Sequence, residues 1–387
     1  MKIVCDDKIP FLRGVFGPWA ETVYLKGAAI SARDVRDADA LIVRTRTRCD
    51  ASLLQGSRVR IVATATIGYD HIDTAWCERH GIRWVNAPGC NASSVKHYLA
   101  SVLCTLSERL SFDLRRAVVG VVGVGHVGRK VAAAAEALGC RVLCNDPPRS
   151  RTEPDLPADL FVPLDELLRR CNILTLHVPL SDEGPDATRH LFDEERLRQW
   201  LGRPSFAPLS EACPAVLVNA SRGPVVDNGA LKRAVGRYRL GAVLDTWENE
   251  PDIDRDLLRQ CLIATPHIAG YSADGKANGT QRCVQAVAAE LGLPLAEWKP
   301  ADIPRLQPEL LTIPATCDTT DRVLKHCILQ TYAVTEDDVR LRAAPEAFEK
   351  LRGNYPIRRD IESYSVSLSV KDAASARALR QLGFRNA

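Results

Sequence analysis

The sequence predicts an α/β protein with two doubly wound parallel-sheet domains and a small C-terminal α+β unit. Three observations carry this reading. Apolar runs of strand length alternate with mixed segments of helical length as far as about residue 264. A glycine-rich turn, Gly123-Val124-Gly125-His126-Val127-Gly128, joins one such run to an alanine-rich segment. After Gly292 the alternation stops, and Pro294, Pro300 and Pro304 mark a linker. At about 150 residues per domain, the 387 residues suggest two or three domains.

In chain order, Lys2–Cys5, Ala40–Val43, Ile61–Ala63 and Ile82–Val85 read as strands of a first domain, residues 1–92. A long helix is expected from Ser93 to Leu110, because Val95, Leu99, Val102, Leu103 and Leu106 recur at helical spacing. It opens a second domain, residues 93–267. There Ala117–Val122, Arg141–Cys144, Ile173–Val178, Ala215–Val218, Ala242–Leu244 and Leu262–Ile263 read as strands. Lys130–Leu138 reads as a helix stopped by Gly139. Residues 268–292 are expected to return to the first domain, and 293–387 to form the third. In that tail Thr320–Thr331 and Pro345–Leu351 read as helices. From Ile361 to Val370 the pattern has period two, with Tyr364, Val366, Leu368 and Val370 on one face. Asp372 suits the N-cap of a last helix that stops at Gly383. So small a core is expected to be stabilised by docking on another chain or domain.

Composition narrows the function. Charged residues make up 26%, the net charge is +3, and no acidic or basic tail stands out, so nucleic-acid and membrane partners gain no electrostatic support. No apolar run approaches the ~20 residues of a membrane span. The start, Met1 to Asp7, turns acidic before a signal-like apolar core forms. The 13 cysteines are odd in number and scattered, without Cys-x-x-Cys, which points to a reduced cytoplasmic protein with buried thiols. No metal site is expected.

The glycine turn has a mechanism. Gly123 permits the tight turn, Gly125 lets backbone approach a pyrophosphate, and Gly128 allows close packing of helix on strand. The helix N-terminus that follows favours an anion. Asp146, at the end of the next strand, is placed to accept hydrogen bonds from an adenosine ribose, and its charge opposes a 2′-phosphate. NAD is therefore expected over NADP, although Arg149 and Arg151 lie nearby.

Three polar groups follow later strands: Asn219 to Gly223, Asp245 to Pro251, and Thr265 to Gly270. In an open α/β sheet, ligands bind outside the carboxyl ends of the strands. An imidazole there can take a hydroxyl proton, a carboxylate beside it fixes its tautomer, and a guanidinium grips a carboxylate. Arg222, Glu250 and His267 are the candidates for oxidation of a hydroxy acid, with hydride passing to a nicotinamide.

These residues resemble the signatures of the D-isomer-specific 2-hydroxyacid dehydrogenases. The resemblance implies that Arg222, Glu250 and His267 are catalytic. It implies Thr45, Thr66 and Tyr271 as substrate contacts. For NAD it implies the turn Gly123, Gly125, His126, Val127 and Gly128, together with Asp146, Thr175, Asp245 and Gly270. Ala63 to His71, Ala87 to Ala92, Asp146-Pro147-Pro148, His267 to Ser272, Leu351 to Tyr355 and Asp372 to Ala376 are similar to one branch of the family. That branch acts on a small phosphorylated hydroxy acid and forms a homodimer through a C-terminal domain. Departures are His126 for the more usual Asn, Tyr69 for a small residue, Thr45 for Ser, and the longer stretch Gly202–Pro214, expected as a surface loop. Arg44, Arg352, Arg358 and Arg359 are the candidates for the substrate's phosphate. The competing readings are a family member with a different hydroxy acid and a NAD-sensing binding protein.

Overall fold

The computed structural model describes residues 1–153, 155–157, 159–202, 215–238, 240–305, 308–368 and 373–386. The stretch 203–214 and the expected cap Asp372 lie outside the described residues. The chain divides into two compact units, Met1–Asn91 with Ser272–Arg305, and Ala92–Tyr271 with Leu306–Ala387. The stretch expected as a third unit, 293–387, is thus shared between them.

In the first unit five strands run parallel: β1 (Lys2–Asp6), β2 (Glu21–Leu25), β3 (Ala40–Val43), β4 (Ile61–Thr64) and β5 (Arg83–Val85). Their spatial order is β2-β1-β3-β4-β5, so the winding reverses between β1 and β3. β3 and β4 are buried along their whole length, which is why they read as continuous apolar runs. One face of the sheet packs on the helix Ala273–Leu291, through Cys283, Val284 and Val287. The other face meets Leu53, Leu54, Trp76 and Cys77.

The second unit holds six parallel strands: β6 (Val118–Val122), β7 (Arg141–Asn145), β8 (Ile173–Leu176), β9 (Val216–Asn219), β10 (Gly241–Leu244) and β11 (Ile263–Ala264). The order is β11-β10-β9-β8-β6-β7, the same winding with one strand more, reversing between β6 and β8. The helices Ala92–Arg109 and Gly128–Ala137 cover one face.

The tail packs on that covered face. Its helices Thr320–Thr331, Val334–Ala343 and Ala373–Leu382 flank a parallel strand pair, β12 (Leu310–Thr312) and β13 (Ser365–Ser367). Val323, Leu324, Ile328, Leu379 and Leu382 join the core that contains Leu99, Val102 and Leu103. Polar contacts reinforce it. Buried Lys96 donates to Glu362 at 2.8 Å and to the Leu382 carbonyl at 2.6 Å. Asp338 accepts the Ala264 amide at 2.7 Å, which closes the exposed edge of β11. Arg342 donates to the carbonyls of Leu258 and Cys261, the last of a neighbouring helix, at 2.8 Å each.

The observed tail differs from the expectation in two ways. β13 spans three residues where a strand from Ile361 to Val370 was expected, because Ile361–Ser363 forms a helical turn. Ser369 and Val370 lie outside the described residues. The helix Val334–Ala343 and strand β12 had no clear apolar signal: that helix buries Asp337 and Asp338 beside Val334 and Leu341.

Candidate functional site

The glycine turn lies at the point where the second sheet reverses its winding. Gly123 has φ of +83°, and a Cβ there would stand 2.7 Å from the His177 carbonyl oxygen. At Gly128 a Cβ would meet the Gly123 carbonyl oxygen at 1.9 Å, so any side chain would push the helix off its strand. At Gly125 a Cβ would meet nothing within 4 Å. The turn is therefore closed where it packs and open where a ligand's phosphates must approach, which fits a dinucleotide. His126 is exposed, with its ring beside the Arg129 guanidinium at 3.0 Å, and Val127 forms the cap of the helix.

Asp146 is bound to this turn. Its carboxylate accepts from the Val124 amide at 2.8 Å and from the Arg149 amide at 3.1 Å, the latter as N-cap of a short helix. The nearby cations are engaged elsewhere. Arg149 pairs with Glu153 at 2.7 Å and donates to the Val124 carbonyl at 2.6 Å, while Arg151 pairs with Asp186. Neither leaves its charge unopposed for a 2′-phosphate. Thr175, at the end of β8, is fully buried and bonds His177 at 2.9 Å. Burial keeps His177 neutral by driving its pKa down to about 3.

The strand ends of β9, β10 and β11 bring the redox candidates together. His267 Nδ1 lies 2.7 Å from Glu250 Oε2, with side chains 31% and 18% exposed. The Trp247 amide donates to the other Glu250 oxygen at 2.8 Å. Burial pushes the Glu250 carboxyl up, but His267 and that amide outweigh it and hold the group below the ordinary carboxylate range. His267 adopts a left-handed φ of +56°, a strained setting that the surroundings must enforce. Asp245 supplies the enforcement. Its backbone carbonyl accepts the His267 amide at 2.7 Å, and its carboxylate accepts from Ile268 N at 2.8 Å, Ala269 N at 3.0 Å and the Thr265 hydroxyl at 2.7 Å. Because that hydroxyl donates to Asp245, the buried Tyr98 hydroxyl 2.9 Å away must donate to Thr265. Burial raises the Asp245 pKa despite these bonds.

Arg222 follows β9 in extended conformation and donates to the Ser221 carbonyl at 2.9 Å. The next residue, Gly223, lies so close beneath the Trp247 carbonyl that a Cβ would stand 1.9 Å from its oxygen. The Arg222 and Glu250 loops are thus in backbone contact. Gly270 and Tyr271 are half-buried just beyond the His267 turn. The Tyr271 ring meets Tyr355 edge-on, with centroids 5.8 Å apart.

In the first unit, Thr45 is exposed just after β3. Thr66 donates to the Gly68 carbonyl at 2.9 Å, so the Thr64 hydroxyl, 2.7 Å away, donates to Thr66. His71 Nε2, 3.1 Å from Thr64, is then the protonated nitrogen of a ring that burial holds below the ordinary histidine pKa. Asn86 takes up the Ile67 carbonyl at 2.7 Å. The Ile67 and Gly68 carbonyls of this loop are thus both taken up by side chains. Tyr69 stands 45% exposed against Trp84, with ring centroids 4.9 Å apart.

The local sequence did not point to Tyr98, Trp247 and His177 as supports of this site. Tyr98 is one more apolar position of a helix until the fold sets it beside Thr265.

Comparison with known proteins follows the same lines. Residues 95–269 match the D-isomer specific 2-hydroxyacid dehydrogenase, NAD binding domain, and residues 303–383 match a domain of unknown function. An erythronate-4-phosphate dehydrogenase of Porphyromonas gingivalis is 42% identical over 99% of this chain and 100% of its own length. One from Azotobacter vinelandii is 41% identical over 99% of each chain. Among solved structures, a D-lactate dehydrogenase from Aquifex aeolicus complexed with NAD and lactic acid is 25% identical. It has a TM-score of 0.61 and covers 76% of this chain and 96% of its own.

Proposed function

The chain belongs to the erythronate-4-phosphate dehydrogenases, within the D-isomer-specific 2-hydroxyacid dehydrogenases, and from that premise we propose that it oxidises 4-phospho-D-erythronate with NAD. The product is 3-hydroxy-2-oxo-4-phosphooxybutanoate, a precursor in the synthesis of pyridoxal 5′-phosphate. The observation that carries the reading is the 2.7 Å contact between His267 and Glu250.

Neutral His267 donates from Nδ1 to Glu250, which leaves the Nε2 lone pair as the base. Nε2 takes the proton of the C2 hydroxyl, and Glu250 stabilises the imidazolium that forms. NAD, when bound, accepts the C2 hydride. Arg222 holds the substrate's carboxylate and polarises the developing carbonyl oxygen. Positioned acid–base work of this kind contributes about 10²–10⁴-fold. Thr66 and Thr45 in the first unit and Tyr271 in the second are assigned as substrate contacts by family membership.

For NAD the assigned residues are the turn Gly123 to Gly128 with Asp146, Thr175, Asp245 and Gly270. Asp146 takes the ribose hydroxyls, and the engagement of Arg149 and Arg151 supports NAD over NADP. A NAD-sensing binding protein needs no His267–Glu250 pair. We further assign residues 293–387 as the dimerisation segment of a homodimer.

The test is the rise of reduced-nicotinamide absorbance with a panel of D-2-hydroxy acids. The highest kcat/KM is expected for 4-phospho-D-erythronate. A preference for 3-phosphoglycerate or D-lactate would sink the assignment.

A further inference from the structure

We propose that Arg352, in the C-terminal tail, is the ligand of the substrate's phosphate; this rests on the phosphorylated hydroxy acid assigned above.

A hydroxy acid with a terminal phosphate needs two cationic contacts, one at each end. Arg222 serves the carboxylate, and four further arginines were open for the phosphate. Arg44 is already neutralised: its guanidinium pairs with the fully buried Asp6 carboxylate through contacts of 3.1 and 3.3 Å. Arg358 is buried under the backbone, donating to the Ala269 carbonyl at 2.6 Å and stacking on Tyr332 at 4.3 Å. Arg352 also has a carboxylate neighbour, and Arg358 also keeps buried donors, Nε and Nη1, without partners among the described residues; what sets Arg352 apart is its position. It sits at the end of the helix Phe348–Gly353, with its guanidinium 6.0 Å from the Tyr271 ring centroid. Tyr271 is itself an assigned substrate contact. The charge of Arg352 helps to hold the Glu250 carboxyl below the ordinary carboxylate range. Glu349 holds one end of the guanidinium at 3.1 Å, a partly exposed pair that orients it weakly. The Nε is buried and has no hydrogen-bond partner among the described residues. A buried donor without an acceptor is costly, and a phosphate oxygen is the acceptor whose charge and geometry match a guanidinium. The assignment gives the tail a role in specificity: it selects for the phosphate that the shared dehydrogenase fold does not require.

The experiment compares wild type, Arg352→Ala and Arg352→Lys in three readouts. These are initial rates with 4-phospho-D-erythronate, initial rates with D-erythronate, and inhibition by inorganic phosphate. Arg352→Ala should raise KM for the phosphorylated substrate about tenfold or more, cost D-erythronate much less, and abolish phosphate inhibition. Arg352→Lys should recover part of the loss, since an ammonium keeps the charge without the fork. Equal losses on both substrates, or a shifted pH profile of kcat with KM intact, would overturn the proposal and make Arg352 a positioning residue for Glu250. No loss would overturn it as well. A wild type inert toward 4-phospho-D-erythronate defeats the substrate assignment instead. Arg352 is then judged on phosphate inhibition of whichever hydroxy acid is turned over, and equal inhibition of wild type and Arg352→Ala rejects it.

Discussion

His267 is the residue on which local strain, hydrogen bonding and chemistry meet. Its left-handed backbone is tied down by Asp245, and its ring is aimed by Glu250. His267→Gln is expected to lower kcat by about 10²–10⁴-fold with the Kd for NAD nearly unchanged, as read by rapid kinetics and by cofactor titration. The same pair links catalysis to stability. Glu250 titrates below its ordinary value of 4.5, so its pairing stabilises the fold fully above that pH and loses its effect as pH falls through the folded value. Removing His267 leaves burial as the dominant influence on Glu250. The gap in urea midpoint between wild type and His267→Gln should therefore be fully present above the carboxylate range, shrink as pH falls through it, and close below the ordinary value of 4.5. A gap independent of pH would disconnect the two residues. Asp146→Asn should keep an acceptor for the Val124 amide while removing the charge. NAD affinity should fall and the preference over NADP narrow, measured by titration with both. Arg222, Glu250, His267 and Asp146 were legible in the sequence because each follows a recognisable strand. Arg352 was named among several arginines, and nothing in the sequence separated it from Arg44, because the Asp6 pairing joins residues far apart in the chain.

At the scale of elements, the glycine turn shows how one backbone segment divides its work. Gly128→Ala forces a methyl group onto the Gly123 carbonyl. The expected cost is on the order of 2 kcal/mol or more, seen in thermal unfolding together with lost NAD binding. Gly125→Ala places its methyl group in open space. Stability should hold while NAD affinity drops, and equal stability losses in the two variants would refute the division. Strands buried on both faces, such as β3, β4, β8 and β9, were readable as apolar runs. β2 was missed because it is an edge strand, exposed at Glu21 and half-buried after it. The helix Val334–Ala343 was missed because two of its four buried residues are aspartates, Asp337 and Asp338, held by Tyr332 just before the helix, by Arg342 on the helix itself and by the distant Ala264 amide.

For the whole molecule, the tail is part of the core of the second unit, yet it still leaves Leu310, Val339 and Ile357 more than half exposed. A homodimer through this segment, with the same patch used twice, gives those side chains an apolar partner. The 42.5 kDa chain is expected to sediment as a dimer. Val339→Asp or Ile357→Asp should shift it toward monomer without changing the circular dichroism spectrum, and a monomeric wild type would reject the assembly. The sequence by itself determined the alternation of strand and helix, the phosphate-binding turn and its acid, and the Arg, Glu and His of the redox site. Each is a local pattern written in a few adjacent residues, and the chemistry requires those residue types. Tertiary structure alone decided that Asp245 holds His267 in its strained turn, that Tyr98 supports Thr265, that Asp6 neutralises Arg44, and that Arg352 comes to rest beside Tyr271. These are pairings between residues distant in the chain. Their partners are chosen by packing, and no periodicity along the chain records which side chains will meet.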